Sequence, residues 1–527
     1  MICCRNSRRF FVISFLGLLP VLALSQDNSS SQSLGDVARK LHKDASEEVR
    51  MTAADTKRLF ESVDTIFAFA SEDSGMPKHA AVKRRLVGKA DVEKYMSGAL
   101  AKEEYTQRFA QEELSMKKFG YLPRNFNLRE YLVKSTGQQI AGYYDDETKT
   151  ISMLNWVPPD QQEPILAHEL THALQDQNYD LRKWMKAALD AARNGSKPTE
   201  GGNDEAPTAR KAVVEGQAMV VYTDYLLAPS GRNLVKKPEL IYQLEDPPVK
   251  AVADSQMLHD APMIMRESGS FSYDEGLIFE GELLHKGGRE MAFAGVFAHP
   301  PKNSHEILQP QAYIKGEKLP PLGMPDLKQL LGEQYDVYDS GGIGQLDVRA
   351  LLKQYGARRV ADDISSAWQG GAYVTLRRKD KAASTATTTA DLALLYVSRW
   401  TTPQAAERFA RFYTSAVAQR YQTATPQPAA ACSGTNCPVS RTQIMTEEGP
   451  VLVEHWGDNS VIVSESFDTT TAAKVHTAVR DQASNVHAGN FPQQEIALRL
   501  YEIPAFRKIV EQIGMQVAME IALSASH

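Results

Sequence analysis

Residues 168 to 172 read His-Glu-Leu-Thr-His, a set of residue types that can hold a metal ion and activate a water molecule. On an α-helix, positions four apart lie on one face, so His168 and His172 can direct two imidazole nitrogens at one ion. Glu169, beside the first histidine, can reach a water on that ion. The chain has 12 histidines among 527 residues, so chance is a poor explanation of this spacing. The pattern predicts one Zn²⁺ ion, with Glu169 as general base.

The sequence around this pattern predicts a helix. Asp160 suits the N-cap, and Glu163 follows three residues later, as in a capping box. Residues 139–154, ahead of the helix, read as a β-hairpin with a polar turn. An apolar stripe runs along the helix at every fourth position: Leu166, Leu170 and Leu174.

A catalytic zinc ion needs a third protein ligand and an open coordination position. Glu215 lies in an apolar, helix-like stretch over residues 207–227, where burial of a carboxylate is costly unless it is paired or metal-bound. We therefore predict Glu215 as the third ligand; a salt-bridged or surface glutamate is the alternative. Gly216 is small and is expected to let this helix lie close against the helix that carries the histidines.

These segments resemble the gluzincin branch of the zincin metallopeptidases, which includes thermolysin. The resemblance is closest to a group of exported bacterial proteins assigned as metallopeptidases. It covers residues 120–320 well and the rest of the chain weakly. The similar runs are residues 168–177, 273–277 and 300–310.

The resemblance implies a zinc-dependent peptidase that acts on a peptide or protein substrate. It also implies that one of the two hairpin strands is an exposed edge to which a substrate peptide can add. It assigns His168, His172 and Glu215 as zinc ligands and Glu169 as general base. Met219, four residues past Glu215, stands where thermolysin has an acidic residue, so thermolysin's outer ligand shell does not carry over. Metzincins are disfavoured because the longer motif with a third histidine is absent from the sequence.

Such chemistry also needs a hydrogen-bond donor for the oxyanion and groups that orient the histidines. Among the tyrosines and histidines of the matched region, His305 and Tyr144 rank first as transition-state donors. Asp176, four residues beyond His172, and Asp224, on the predicted Glu215 helix, are the candidates for orienting a histidine.

The fold predicted for the whole chain is α+β. A mainly helical, zincin-like catalytic domain with a small sheet is followed by a C-terminal α+β domain, in which no catalytic set is obvious. Trp368 to Gly371 is expected to be a turn with a buried Trp. Glu275, Glu280 and Glu282 are expected to be solvated. The predicted parts are a signal peptide over 1–25, an N-terminal helical region over 26–119, a metallopeptidase domain over 120–325 and the C-terminal domain over 326–527.

The N-terminus indicates export. Arg5, Arg8 and Arg9 precede an apolar run over residues 10–24, as in a cleaved signal peptide, although an uncleaved anchor is the alternative. We therefore expect a secreted or periplasmic protein with no stable membrane span after cleavage. In that setting Cys432 and Cys437 are expected to form a disulfide, with a second metal site as the rival interpretation.

Composition excludes one class of partner and leaves several functions open. The net charge is −6, and no basic patch or phosphate-binding loop is evident, so nucleic acid is not expected as a partner. An active peptidase is the favoured function. The alternatives are a zinc-binding pseudo-peptidase, hydrolysis of a non-peptide amide, and a cell-envelope binding protein with a chance motif.

Overall fold

The structure is a computed structural model that describes residues 51–91, 103–135, 142–193, 205–243, 261–320, 322–381, 387–429, 432 and 437–484. By its internal contacts the chain divides into two compact units, Met1–Val49 and Arg50–His527, and all described residues belong to the second. Within the described residues, none of the helices has the length and apolar character needed to cross a membrane. The predicted signal peptide lies outside the described residues.

Before residue 321, the described residues are mainly helical and include three short strands. The elements are α1 (Ala53–Ser74), β1 (Lys83–Val87), α2 (Glu103–Phe119), α3 (Leu128–Ser135), β2 (Tyr143–Asp145), β3 (Thr150–Leu154), α4 (Pro159–Tyr179), α5 (Leu181–Arg193), α6 (Ala206–Leu227), α7 (Met263–Arg289), α8 (Val296–Ala298), α9 (Ser304–Leu308) and α10 (Pro310–Lys315). Short 3₁₀ turns at Ala228–Ser230 and Pro238–Gln243 follow α6, and a π-helical segment at Glu290–Gly295 follows α7.

The remaining elements form the C-terminal part. They are α11 (Leu327–Leu331), β4 (Tyr335–Gly342), α12 (Gln345–Gln354), α13 (Ala361–Ser366), β5 (Trp368–Arg378), β6 (Leu392–Trp400), α14 (Pro403–Arg420), β7 (Ala424–Gln427), β8 (Ser440–Thr446), β9 (Gly449–His455), β10 (Ser460–Glu465) and α15 (Thr469–Ser484). Short 3₁₀ turns lie at Arg358–Val360, Lys379–Lys381 and Thr389–Asp391. Together the two parts confirm the predicted α+β class.

The helix with the two histidines, α4, begins earlier than its sequence suggested. Pro158 occupies the N-cap without a side-chain hydrogen bond, and Asp160 lies inside the first turn, so the predicted Asp160 cap is wrong. A proline at the first helical position needs no N–H partner, which lets the helix start there. The three leucines of the predicted stripe are buried, as expected.

The predicted hairpin is confirmed and is part of a three-stranded sheet with the order β1-β3-β2. β2 and β3 pair antiparallel, whereas β1 pairs with β3 in parallel. β2 is therefore an edge strand. β1 was not recognised from sequence, because its run of Lys83, Arg84 and Arg85 does not read as a buried strand. Residues 139–141 lie outside the described part.

The Glu215-bearing helix α6 packs most closely against α7. A Cβ atom on Gly216 would lie 2.3 Å from the carbonyl oxygen of Gly276, and one on Gly276 would lie 2.4 Å from that of Ala212. The prediction that Gly216 permits a close approach holds, but its partner is α7 and not the histidine helix. Within α7, Gly288 has a φ of 65°, which interrupts the helical backbone one residue before the helix ends at Arg289.

The C-terminal part is built on an antiparallel sheet of seven strands, in the order β4-β5-β6-β10-β9-β8-β7. Apolar residues of α14 cover one face of the sheet, and those of α11 and α15 cover the other. Trp368 is buried as predicted, but it begins β5 and does not lie in a turn.

The helices before residue 120 do not pack as one group. α1 shares an apolar core with α4 and α6, whereas α2 packs against the C-terminal sheet. There Phe119 stacks edge-on against Tyr396, and buried Lys118 lies 2.8 Å from Glu448. Elements of the predicted N-terminal region therefore support two different parts of the molecule.

The close crossing of α6 and α7 makes a testable prediction. Gly276→Ala forces a methyl group onto a main-chain carbonyl that cannot rotate away, so we expect a loss of about 1–3 kcal/mol in the free energy of unfolding, measured by urea denaturation. Gly457→Ala is the matched control, because nothing lies within 4 Å of its Cβ position. Equal stability of both variants would show that the helices can separate at no cost.

Candidate metal centre

The structure brings His168, His172 and Glu215 together. Both histidines lie on α4, and Glu215 comes from α6. The two Nε2 atoms are 3.1 Å apart, and Glu215 Oε2 lies 3.2 Å from His168 Nε2 and 3.4 Å from His172 Nε2. This group could hold one metal ion. The His172 side chain is 13% exposed, against 1% for His168 and 4% for Glu215, so the group meets solvent on the His172 side.

A chain of amides fixes the tautomer of His172. Gln175 Nε2 lies 2.9 Å from the main-chain carbonyl of Val214 and 2.9 Å from Gln217 Oε1. Because a carbonyl can only accept, this end of the Gln175 amide is the donor, and its Oε1 faces His172 Nδ1 at 2.8 Å. Nδ1 must then carry a proton, so when His172 gives up its charge the proton leaves from Nε2, whose lone pair then faces the three-residue group.

His168 is held by packing. Its ring lies nearly parallel to that of Tyr273, with 6.1 Å between centroids, and perpendicular to that of His172 at 4.7 Å. Its Nδ1 is buried without a hydrogen-bond partner among the described residues. Tyr273 and Gly276 both belong to the run over residues 273–277. This segment of α7 therefore packs against His168 and against the helix that carries Glu215.

Burial and mutual attraction set the charges of the three side chains. Burial lowers the pKa of His168 to about 4. Burial alone would also lower the pKa of His172, but the Glu215 carboxylate reverses this and raises it to about 9. Burial alone would raise the pKa of Glu215, but the positive charge on His172 holds it well below its ordinary range. The carboxylate is thus the fixed negative charge of the group.

Glu169 lies between the group and the edge strand β2. It is 5% exposed, and its Oε2 accepts a hydrogen bond of 2.6 Å from the backbone N–H of Tyr144. This contact fixes the orientation of the carboxylate and places β2 next to the residue that follows His168. The edge strand β2 is therefore the strand of the hairpin whose backbone bonds Glu169.

The side chains of Tyr144 and Asp176 bond to each other. The Tyr144 hydroxyl donates to Asp176 Oδ2 at 2.8 Å, and Lys149 forms an ion pair with the same carboxylate. Asp176 therefore orients a tyrosine. The residue that bonds His172 Nδ1 is Gln175, because a side chain three positions along a helix also lies on the same face.

Asp224 and His305 have other partners in the structure. Asp224 caps the loop after α6 by accepting the backbone N–H groups of Leu234 and Val235. His305 Nδ1 lies 2.8 Å from Gln345 Oε1, and its ring packs near Trp368. Neither is joined to the histidine–glutamate group by a contact within the described ranges.

The run over residues 300–310 holds the start of the Glu215 helix. The Ser304 hydroxyl donates to the carboxylate of Glu205, which directly precedes α6. The main-chain N–H of Leu346 in turn donates to Ser304. This segment therefore fixes the helix that delivers Glu215 and supplies no ligand itself.

Of the three glutamates of α7, Glu280 contradicts the prediction of a solvated side chain, whereas Glu275 and Glu282 are partly exposed. Glu280 is completely buried, and neither of its oxygens has a hydrogen-bond partner among the residues that the structure describes. Burial raises the pKa of Glu280 well above its ordinary range, so it is a neutral acid. Glu275 pairs with Arg349, and Glu282 accepts from Gln311.

Two features near the site were missed by sequence reasoning. Gln175 lies in the run over residues 168–177, and its spacing of three from His172 was the available signal. Gln217, two residues after Glu215, extends the amide chain to the carbonyl of Ala292 at 2.7 Å. No sequence signal connects Gln217 to Ala292, because the contact spans a long separation.

Comparison with known proteins bears on the C-terminal part alone. A family described as a domain of unknown function, DUF8575, matches residues 330–476. That span contains all strands of the seven-stranded sheet. It contains none of the three residues of the candidate metal centre. No curated protein and no solved structure matches the chain. The same part carries the disulfide between Cys432 and Cys437.

The amide chain predicts how metal affinity responds to mutation. Gln175→Ala removes the acceptor of His172 Nδ1–H, so we expect the affinity for Co²⁺ or Zn²⁺ to fall about 10- to 100-fold, measured by competition with a chromophoric chelator. Gln177→Ala, on the same helix, is the control, because its side chain bonds the backbone of His79 and Ala80. Unchanged affinity in Gln175→Ala would contradict the orienting role.

Proposed function

We propose that this protein is an exported, zinc-dependent peptidase of gluzincin type. The observation that carries the proposal is the convergence of two imidazole nitrogens and one buried carboxylate oxygen within 3.1–3.4 Å of one another. Glu169 lies next to His168 in the sequence and against the edge strand, where a general base is needed. Secretion and the peptide substrate remain parts of the proposal that rest on the sequence.

The donor set suits zinc. Ligands at about 2.0–2.1 Å from a tetrahedral ion lie roughly 3.3 Å from one another, which matches the three separations in the structure. Two neutral imidazoles and a carboxylate are the ligands of known catalytic zinc sites that keep one position open. A structural zinc site is closed by four protein ligands, and no fourth candidate ligand belongs to this group within the described residues.

The residues of the site divide the work of hydrolysis. A bound zinc ion supplies polarisation of the scissile carbonyl and a lower pKa for water. The Glu169 carboxylate takes a proton from the attacking water and gives it to the leaving amine. The Tyr144 N–H keeps that carboxylate in place, and Gln175 keeps the Nε2 lone pair of His172 facing inward.

The edge strand favours an extended peptide as substrate. β2 has one sheet neighbour, β3, and its other side is directed toward Glu169. A peptide that adds to a sheet edge is held by main-chain hydrogen bonds, which require an extended backbone and no particular sequence. This proposal accounts for a peptide bond, and not an isolated amide, as the target.

A substitution at Glu169 tests the enzyme against the pseudo-peptidase. Glu169→Gln keeps an acceptor for Tyr144 N–H but cannot take a proton, so kcat/KM on a peptide library should fall about 10²- to 10⁴-fold while bound zinc is unchanged. Glu163→Gln is the matched control, since it makes the same chemical change on the same helix at a residue that contacts Tyr225.

Three results would separate the alternatives. Wild-type protein without stoichiometric zinc by elemental analysis would support a chance motif. Zinc-loaded protein that cleaves no peptide would support the pseudo-peptidase. Cleavage that survives both a chelator and Glu169→Gln would overturn the proposal.

A further inference from the structure

A second set of chemically active side chains lies on one face of the seven-stranded sheet. His476 Nε2 lies 2.9 Å from Ser464 Oγ, and His476 Nδ1 lies 2.7 Å from Glu454 Oε2. The serine comes from β10, the glutamate from β9 and the histidine from α15. A hydroxyl, an imidazole and a carboxylate joined in this order can activate the serine as a nucleophile.

The alternation of the strands explains the convergence. Side chains two apart on a strand share a face, so Ser464 lies on the face of Ile462, and Glu454 lies on that of Leu452. Apolar side chains of α15 pack on this face together with Ile462 and Leu452. His476, on α15, is thereby placed over both strands.

The proton positions follow from the partners. A carboxylate at Glu454 can only accept, so His476 Nδ1 is the donor and Nε2 is free to accept the Ser464 proton. Arg441 forms an ion pair with Glu454 at 2.6 Å, and Trp456 Nε1 donates to it at 3.1 Å. Burial alone would raise the pKa of Glu454, but the His476 hydrogen bond and the Arg441 charge hold it below its ordinary value. The orienting carboxylate is therefore ionised and fixed.

A cavity of about 240 Å³ lies against these residues. Ser464, His476 and Glu454 line it, and its remaining surface is mostly apolar. Ligand pockets for drug-sized molecules run from about 300 Å³ upward, so this one suits a small apolar group. Gln443, whose side-chain amide can donate an N–H, is also among the residues that line it.

We propose that Ser464 is a catalytic nucleophile that hydrolyses esters of short, apolar acyl groups. Its Oγ adds to the ester carbonyl carbon while its proton passes to His476 Nε2. His476 returns that proton to the leaving alcohol as the ester C–O bond breaks. Water then adds to the acyl-serine, gives a proton to His476, and the acid leaves as Ser464 Oγ recovers the proton. One water is consumed for each ester.

This reaction is independent of the metal centre, so the two proposals fail separately. The experiment treats the full-length protein with a fluorophosphonate, a reagent that reacts with activated serines, and maps the adduct by mass spectrometry. We expect one adduct, on Ser464, in wild-type protein, in the presence of a chelator and in Glu169→Gln. Heat-unfolded protein measures the background.

Variants assign the reactivity. Ser464→Ala should give no adduct, and His476→Asn should slow labelling about 100-fold or more, with parallel losses in p-nitrophenyl butyrate hydrolysis. Ser398→Ala is the matched control and should label at the wild-type rate. Ser398 is also a buried strand serine of the same sheet, but its Oγ accepts from Trp400 Nε1 and contacts no histidine in the described hydrogen bonds.

The result on folded wild-type protein decides the proposal, since it does not depend on the folding of a variant. Labelling of Ser464 no faster than in the unfolded chain would overturn it and would leave His476 as a buried structural histidine. Labelling that His476→Asn does not slow would overturn it as well, because the serine would then react without its base.

Discussion

The arrangement around the candidate metal centre depends on one constraint, the burial of the Glu215 carboxylate, whose side chain is 4% exposed. A charge in an apolar interior must be compensated, and here the partners are two imidazoles on a different helix. That requirement fixes α4 and α6 relative to each other. The Gly216–Gly276 contact then fixes α7 against α6, and the Ser304–Glu205 contact fixes where α6 begins. These long-range contacts together determine where Glu215 Oε2 lies.

Both proposed sites orient a histidine ring by the same kind of hydrogen bonding. In each, a group that can only accept a hydrogen bond, a carbonyl or a carboxylate, determines which atom of its neighbour is the donor. One imidazole nitrogen is then left to direct its lone pair into the site. At His172 this group is the Val214 carbonyl, which acts through the Gln175 amide. At His476 it is the carboxylate of Glu454. The first favours binding of a cation, whereas the second favours removal of a proton from a hydroxyl.

The sequence predicted what local spacing determines. The histidine pair, Glu169, the hairpin and the α+β class follow from periodicities that act over a few residues. It could not predict contacts between distant segments. The strand β1 carries Lys83, Arg84 and Arg85 in succession. It pairs with β3 through backbone hydrogen bonds, which the pattern of its side chains does not predict. Asp160 is not the N-cap because the helix already begins at Pro159, a residue type that suits the first helical position. Glu454, Ser464 and His476 share no motif spacing and meet because of strand register.

The amide chain behind His172 also links the site to a segment beyond α7. Gln217 Nε2 bonds the Ala292 carbonyl, which lies in the wider-wound turn just after the break at Gly288. The Ala292 carbonyl can only accept, so it makes Gln217 Nε2 the donor and leaves Gln217 Oε1 to accept from Gln175. The backbone after the break at Gly288 therefore fixes the orientation of the Gln217 amide, in agreement with the orientation that the Val214 carbonyl gives to Gln175.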